Sequence, residues 1–264
     1  YYESIKRKPS KRQLENEAIK AEIIKVHKES KQRYGSPKIT KYMRFKGWAV
    51  SRPRVARIMR SEGIRSIVNE KFRCTTTDSN HKYLLSKNVL NREFSAEAPA
   101  EKWVSDITYI PTKQGWLYLT IIMDLYDRKI IGWPLSTTMK ASDSVIPAWK
   151  MATKNRFNSG KLIFHSDRGV QYAAHGFRKE LSKNKNIVQS MSRRANCWDN
   201  AVAENFFKIL KSELIYQTNY QSILQAKIEV FEFIEIWYNR RRIHSYLDYQ
   251  TPEEYGSIKH LKNA

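Results

Sequence analysis

From Lys102 onward the chain changes texture, and this change limits its fold more than any other feature. Three β-rich runs follow one another: Trp103–Pro111, Trp116–Leu125 and Lys129–Leu135. Only Gly115 and the turn Tyr126-Asp127-Arg128 separate them, so neighbouring runs pair as an antiparallel meander. The pattern then alternates. A helix is predicted near 143–156, capped by Ser142 or Asp143. A short apolar strand, Lys161–Phe164, ends in His165-Ser166-Asp167, and a helix at about 174–183 follows. A strand at Ile187–Gln189 and a long helix from about Trp198 complete the order βββαβαβα. That order implies an α/β fold, a mixed sheet flanked by helices. A further helix over about 222–238 puts Ile223, Ala226, Val230, Phe233 and Trp237 on one stripe.

The first hundred residues read differently. They carry 24 Lys and Arg against 10 Asp and Glu, in a chain whose formal net charge is +22. Such self-repulsion usually answers to a polyanion, here nucleic acid, although an acidic lipid surface or simple solubility would also fit. Ile19, Ile23 and Val26 share one helical face. Ser36-Pro37 and Ser51 open two more helices, with Gly47 and Gly63 as stops. Three short helices with a glycine turn before the last form a helix-turn-helix pattern. In the third, Val55, Ile58 and Met59 face inward, while Arg54, Arg57 and Arg60 are predicted to face DNA. The bland alternative is a small helical domain with a solvated basic face. The domain plan is a basic lead at 1–13, a small all-α helix-turn-helix domain at 14–65 and a linker at 66–100 with a short helix around 83–90. A catalytic core at 101–220 and a C-terminal helix with a basic tail at 221–264 follow.

Other classes fall away. Cys74 and Cys197 are far apart and lack partners at ligand spacing, so neither a disulfide framework nor a zinc cluster is expected. No apolar run approaches the ~18 residues of a membrane span. A cytoplasmic protein without membrane contact is expected, and the opening Tyr1-Tyr2 suits a piece of a longer product.

Phosphoryl transfer on DNA needs hard cations held by carboxylates, so the acids carry the search. Asp106 sits mid-strand in Trp103-Val104-Ser105-Asp106-Ile107-Thr108-Tyr109, where an ionised side chain is costly unless paired or metal-bound. An edge strand with its carboxylate in water is the alternative. Asp167 follows an apolar strand at its carboxyl end, where ligand sites gather, although a turn cap would look the same. Glu204 lies on the last core helix, on the polar stripe with Asn200, Lys208 and Lys211. An ordinary solvated Glu–Lys face is the competing reading there. Asp124 and Asp127 bracket a turn, Asp199 suits a helix N-cap, and His165 is either a site residue or a strand cap.

With these residues in place, the sequence resembles bacterial insertion-sequence transposases of the DDE superfamily, specifically the insertion-sequence-three group. The matching strings are Trp103–Tyr109, His165-Ser166-Asp167-Arg168-Gly169-Val170-Gln171-Tyr172 and Ser190-Met191-Ser192-Arg193. Asn196-Cys197-Trp198-Asp199-Asn200-Ala201, Glu204 and Lys211-Ser212-Glu213 follow. Tyr238-Asn239, Arg242, His244 and Thr251-Pro252 come near the end, and Tyr34-Gly35-Ser36-Pro37 lies upstream. One departure is visible: 36 residues separate Asp167 from Glu204, one more than the group's usual spacing. The Lys183–Asn186 loop is the predicted place for the extra residue.

The resemblance implies a ribonuclease-H-like, retroviral-integrase-type core. Asp106, Asp167 and Glu204 would be the catalytic and metal-binding residues, with Mg²⁺ as cofactor, Mn²⁺ as substitute, and two ions in the site. Metal-dependent cleavage would expose a 3′-hydroxyl at an element end, and strand transfer would join it to a second phosphodiester. The implied partners are double-stranded DNA, both element ends and target, and further copies of the chain in a dimer or larger assembly. Lys208, Lys211, Arg240, Arg241, Arg242 and His244 are predicted DNA contacts. The alternatives are a nuclease without joining activity and a DNA-binding regulator or inactive remnant.

Overall fold

A computed structural model describes residues 10–67, 85–156, 160–194 and 196–262. The chain divides into two compact units, Tyr1–Lys71 and Phe72–Ala264.

The first unit is three helices, α1 (Lys11–Glu29), α2 (Ser36–Phe45) and α3 (Arg52–Ser61), each packed on the other two. Ser10 and Gln13 close a capping box at the start of α1, satisfying two backbone donors that a helix end leaves open. Ile19, Ile23 and Val26 are buried, as are Ile39 and Met43 of α2 and Val55 and Met59 of α3. Burial of each large side chain contributes about 1.5–3 kcal/mol before entropy is charged against it. Ser51 caps α3 by accepting from the Arg54 amide. For α2 the cap is Gly35, not Ser36, which is already the first helical residue. Gly47, at φ +85°, lets the chain leave α2 in a left-handed turn that a side chain would strain.

The second unit is built on one mixed sheet. Its strands are β1 (Lys102–Thr112), β2 (Gly115–Asp124), β3 (Ile130–Gly132), β4 (Leu135–Ser136), β5 (Leu162–Ser166) and β6 (Ile187–Met191). The spatial order is β3-β2-β1-β5-β6, with β4 also paired to β2. β1 is therefore central, antiparallel to β2 and parallel to β5. A parallel pair needs a long crossover, and α4 (Val145–Asn155) supplies it between β4 and β5. The remaining helices are a single turn at Val170–Ala173, then α5 (His175–Ser182), α6 (Ala201–Glu213), α7 (Ile223–Phe231) and α8 (Pro252–Lys262). Trp103, Trp149, Phe164, Tyr172 and Phe177 fill the core on one side of the sheet with tilted and edge-on ring contacts.

Several elements differ from expectation for physical reasons. The third strand breaks at Trp133-Pro134, because proline has no N–H to continue the ladder. Helix α4 starts at Val145 behind Ser144, since Asp143 is already engaged by the Thr138 and Ser142 hydroxyls. The supposed linker is not a free tether over 85–100. Leu90 is buried, and the Ser190 hydroxyl accepts from the Val89 and Leu90 amides. Residues 85–90 form no helix; residues 83 and 84 lie outside the described residues. The 222–238 helix is regular only to Phe231, then widens to π-type turns over Glu232–Tyr238. α8 was not anticipated; Thr251 and Glu254 form a reciprocal cap at its start.

Candidate active site

Strand register brings the first two acids together. β1 and β5 run parallel with Ser105 opposite Ser166, so Asp106 and Asp167 follow on neighbouring strands, which lie about 4.8 Å apart. Each carboxylate is oriented by a backbone amide: the Ile107 N–H donates to Asp106 Oδ1 at 2.8 Å, and the Gly169 N–H to Asp167 Oδ1 at 2.9 Å.

The third acid arrives through a side-chain anchor. Asn200, buried at the head of α6, donates from Nδ2 to the Ser105 carbonyl at 3.1 Å. Glu204 lies one turn later on the same side of that helix, so the bond that ties Asn200 to β1 also aims Glu204 at Asp106. The Asn200 Oδ1 atom is buried without a hydrogen-bond partner.

The electrostatics show how close the three acids are. Burial pushes the Asp106 carboxyl well above the usual carboxylate range. The negative charges of Asp167 and Glu204 push the same way, opposed by the Ile107 amide and Lys211. Burial and the charge of Asp167 likewise raise Glu204. Tyr172, buried beneath, is held far above an ordinary phenol, first by burial and then by Asp106 and Asp167. Its hydroxyl is 2.8 Å from the Ser105 hydroxyl, which donates to the Ile121 carbonyl. Among the described residues no three His, Cys, Asp or Glu side chains converge at the spacing of ligands to one ion. The acids repel one another.

Three of the other acids are structural. Asp124 is buried, accepting from the Ala100 and Tyr126 amides, the Trp103 indole and Arg156. Asp127 takes the second arm of that guanidinium. Asp199 does not cap a helix. Its buried carboxylate accepts from the Arg193 amide and guanidinium, from Arg92 and from Asn88, and these hydrogen bonds, that of Arg193 first, hold its pKa well below the usual carboxylate range. His165 is buried between the Ser190 and Ser192 hydroxyls, and burial lowers its pKa to about 4. The ring is therefore neutral at ordinary pH and braces β5 and β6.

Known proteins match along the chain. Residues 96–197 and 204–259 fit family models described as integrase core domains, and residues 13–72 fit an HTH-like domain. A transposase for insertion sequence element IS904 from Lactococcus lactis is 36% identical over 249 residues, covering 94% of this chain and 97% of that protein. The chain belongs to the IS3-family transposases. Transposase InsF of IS3A from Escherichia coli is 37% identical over 233 residues, covering 88% of this chain and 80% of its own length. In fold the transposase also resembles a chain of the simian T-cell lymphotropic virus intasome in complex with PP2A regulatory subunit B56 gamma. That match has a TM-score of 0.51 at 14% identity, over 89% of this chain and 74% of the other. The expected ribonuclease-H-like architecture behind a helix-turn-helix domain is thus the observed one. The chain is a DNA transposase, an enzyme of phosphoryl transfer that binds DNA. Among the described residues no helix is long and apolar enough to cross a membrane.

The structure sorts the transposase's basic residues. Arg57 and Arg60 are exposed on α3, whereas Arg54 is partly buried, bonded to Asn16 and ion-paired with Glu15 at 2.7 Å. Lys208 is exposed on α6. Lys211 is buried, its ammonium 5.0 Å from the centre of the Tyr109 ring, and it lowers the Asp106 pKa. Arg240 and Arg241 are exposed. Arg242 is buried against Glu213 with N···O distances of 2.8 to 3.3 Å, and Glu213 also accepts from the Trp237 indole. His244 is buried edge-on against Tyr238. The expected basic tail is in this part a packed piece of the core, because Glu213 turns inward and draws Arg242 with it. Asn200, Arg92 and Arg193 were not singled out for these roles; Arg92 and Asn88 lie more than a hundred residues from Asp199, and no local pattern marks that pairing.

Proposed function

We propose that the transposase cuts and joins DNA strands at Asp106, Asp167 and Glu204 with a divalent metal, Mg²⁺ or in its place Mn²⁺. The observation that carries this is the mutual electrostatic influence of three carboxylates, two of them with pKa raised by burial and repulsion. Hard oxygen ligands of like charge are the donor set that a hard dication relieves. The residues fit such an ion: Asp106 in β1 and Asp167 just past the neighbouring β5 would hold one side, and Glu204 would close the other from α6. When bound, the metal would lower the pKa of the attacking hydroxyl or water and stabilise the leaving oxygen.

The chain's own residues do the positioning. The Ile107 and Gly169 amides each hold one oxygen of an aspartate and so orient its carboxylate. Asn200 sets the separation of α6 from β1, and hence of Glu204 from Asp106. Lys211 supplies a cation that opposes the burial and repulsion raising the Asp106 pKa. Lys208, Arg57, Arg60, Arg240 and Arg241 present charge that double-stranded DNA, as element end and as target, would meet. The site thus hydrolyses a phosphodiester at an element end and directs the freed 3′-hydroxyl at a second one. Joining two ends to one target requires at least two such sites, so a homodimer or larger assembly on DNA is part of the proposal.

The test is a strand-transfer assay with the element's own ends, with and without Mg²⁺. Asp106→Asn, Asp167→Asn and Glu204→Gln should each abolish cleavage and joining but keep DNA binding. Wild-type joining by any one removes that residue from the site. Cleavage without any joined product would make the protein a nuclease.

A further inference from the structure

Trp198 is the most exposed large hydrophobic side chain among the described residues, at 69%. Its neighbours are the opposite. Asp199 is wholly buried in its cluster of Arg193, Arg92 and Asn88, and Asn200 is buried against β1. A mobile loop tip can carry an exposed aromatic at little cost. Here the backbone is pinned immediately after the indole, so a large apolar surface is held in water on a fixed mount. The core does not use it.

Where the mount points follows from helix geometry. Cys197–Asn200 form a 3₁₀ turn that runs directly into α6. In a 3₁₀ turn residues i and i+3 eclipse, which aligns Trp198 with Ala201. In the α-helix beyond, Glu204, Asn205 and Lys208 continue that row, and all three are exposed. Trp198 therefore heads the exposed row that carries Glu204, roughly 10 Å away along the axis. That is about the length of three stacked bases. Lys208, one turn beyond Glu204, lies at the other end of the row.

We propose that Trp198 is a nucleobase-stacking subsite: it holds a base a few nucleotides from the reacting phosphate while Lys208 meets the backbone on the far side of Glu204. The proposal rests on Glu204 marking the reacting phosphate, as in the function above. An indole face accepts any base, so the contact fixes position along the strand and not sequence. A base that stacks there must leave or end its helix stack, which a frayed or nicked element end does at least cost.

The test uses element-end duplexes with 2-aminopurine placed singly at positions on either side of the cleavage site. Wild-type protein should quench the fluorescence at one or two adjacent positions. Trp198→Ala should lose that quenching, weaken end binding by roughly 5- to 150-fold and slow joining, while Trp198→Tyr should restore most of all three. Because the side chain is exposed, the alanine variant should unfold at the wild-type temperature, which separates stacking from a folding defect. Glu204→Gln should keep the quenching and lose the joining; if it joins normally, the catalytic assignment fails while the stacking result still stands. The proposal is overturned if Trp198→Ala retains the quenching. It is equally overturned if no position is quenched by the wild type, or if the variant loses only self-association, which would make Trp198 a protein contact.

Discussion

Asp199→Asn is a near-isosteric change with a large expected effect. The carboxylate accepts from the Arg193 amide at 2.9 Å, from the Arg193 guanidinium at 2.8 and 2.6 Å, from Arg92 at 2.9 Å and from Asn88 at 2.9 Å. An amide keeps one oxygen but turns an NH₂ toward donors it cannot serve. Breaking a buried ion pair from one side costs about 3–5 kcal/mol. Both guanidiniums here are roughly half exposed and can be resolvated, which puts the figure near the low end, about 3 kcal/mol. For a unit of this size each kcal/mol moves Tm by ~2–4 °C, so the second unit should melt ~6–12 °C lower. The pH dependence has a definite sign. The folded carboxyl is held below its unfolded value, so its stabilisation is present above the unfolded pKa and is lost as pH falls through the folded one. The gap between wild type and variant should therefore be full at neutral pH and shrink below about pH 4. Thermal melts followed by calorimetry across this range are the measurement. A neutral-pH difference under about 1 °C, or one that grows in acid, would refute the reasoning.

Three further outcomes follow from the same geometry. In chelator, Asp106→Asn should be more stable than wild type at neutral pH, because a carboxyl with a raised folded pKa destabilises once ionised; Mg²⁺ at a hundred times Kd should then stabilise wild type by about 2.7 kcal/mol and the variant far less, read as a thermal shift. Lys211→Met should slow joining on pre-bound DNA at saturating Mg²⁺ and shift its pH profile to higher pH, since Asp106 loses the cation that lowers its pKa; an unmoved profile would place Lys211 in the packing alone. Arg57→Ala with Arg60→Ala should flatten the salt dependence of DNA binding by about 0.9 in the log–log slope per lost phosphate contact, whereas Arg54→Ala should chiefly lower the stability of the first unit.

What could be read from the sequence follows the range of each interaction. Period-two and helical patterns are local, so the two long strands, the basic third helix and Asp106 in mid-strand are all visible in short windows. Even so, local patterns located ends poorly where a side chain had a distant use. Asp143 looked like a cap for α4 and serves Thr138 and Ser142 instead. Asp199 looked like a cap for α6 and binds residues from 88 to 193. The stretch 85–100 has no periodicity because it packs through backbone amides and single side chains, such as Leu90 under Ser190, not through a repeating face. Arg242 read as tail charge because nothing near it in sequence announces Glu213 turning inward.

The same contrast separates the proposed catalytic acids from the structural ones. Asp124, Asp127, Asp199 and Glu213 are each matched to a guanidinium: Arg156 for the first two, Arg193 and Arg92 for the third, Arg242 for the fourth. A guanidinium is a permanent cation, and an acid paired with one has its charge compensated by the fold itself. Asp106 and Glu204 have instead the repulsion of other acids, with Lys211 as the cation that opposes it at Asp106. Burying like charges together is unfavourable for folding, so a fold that keeps them holds strain that only an external cation relieves. In a chain of net charge +22, rich in arginine that could have compensated them, the repulsion raised at Asp106 in β1 and Glu204 on α6 is what favours the proposed metal-binding role over a scaffolding one.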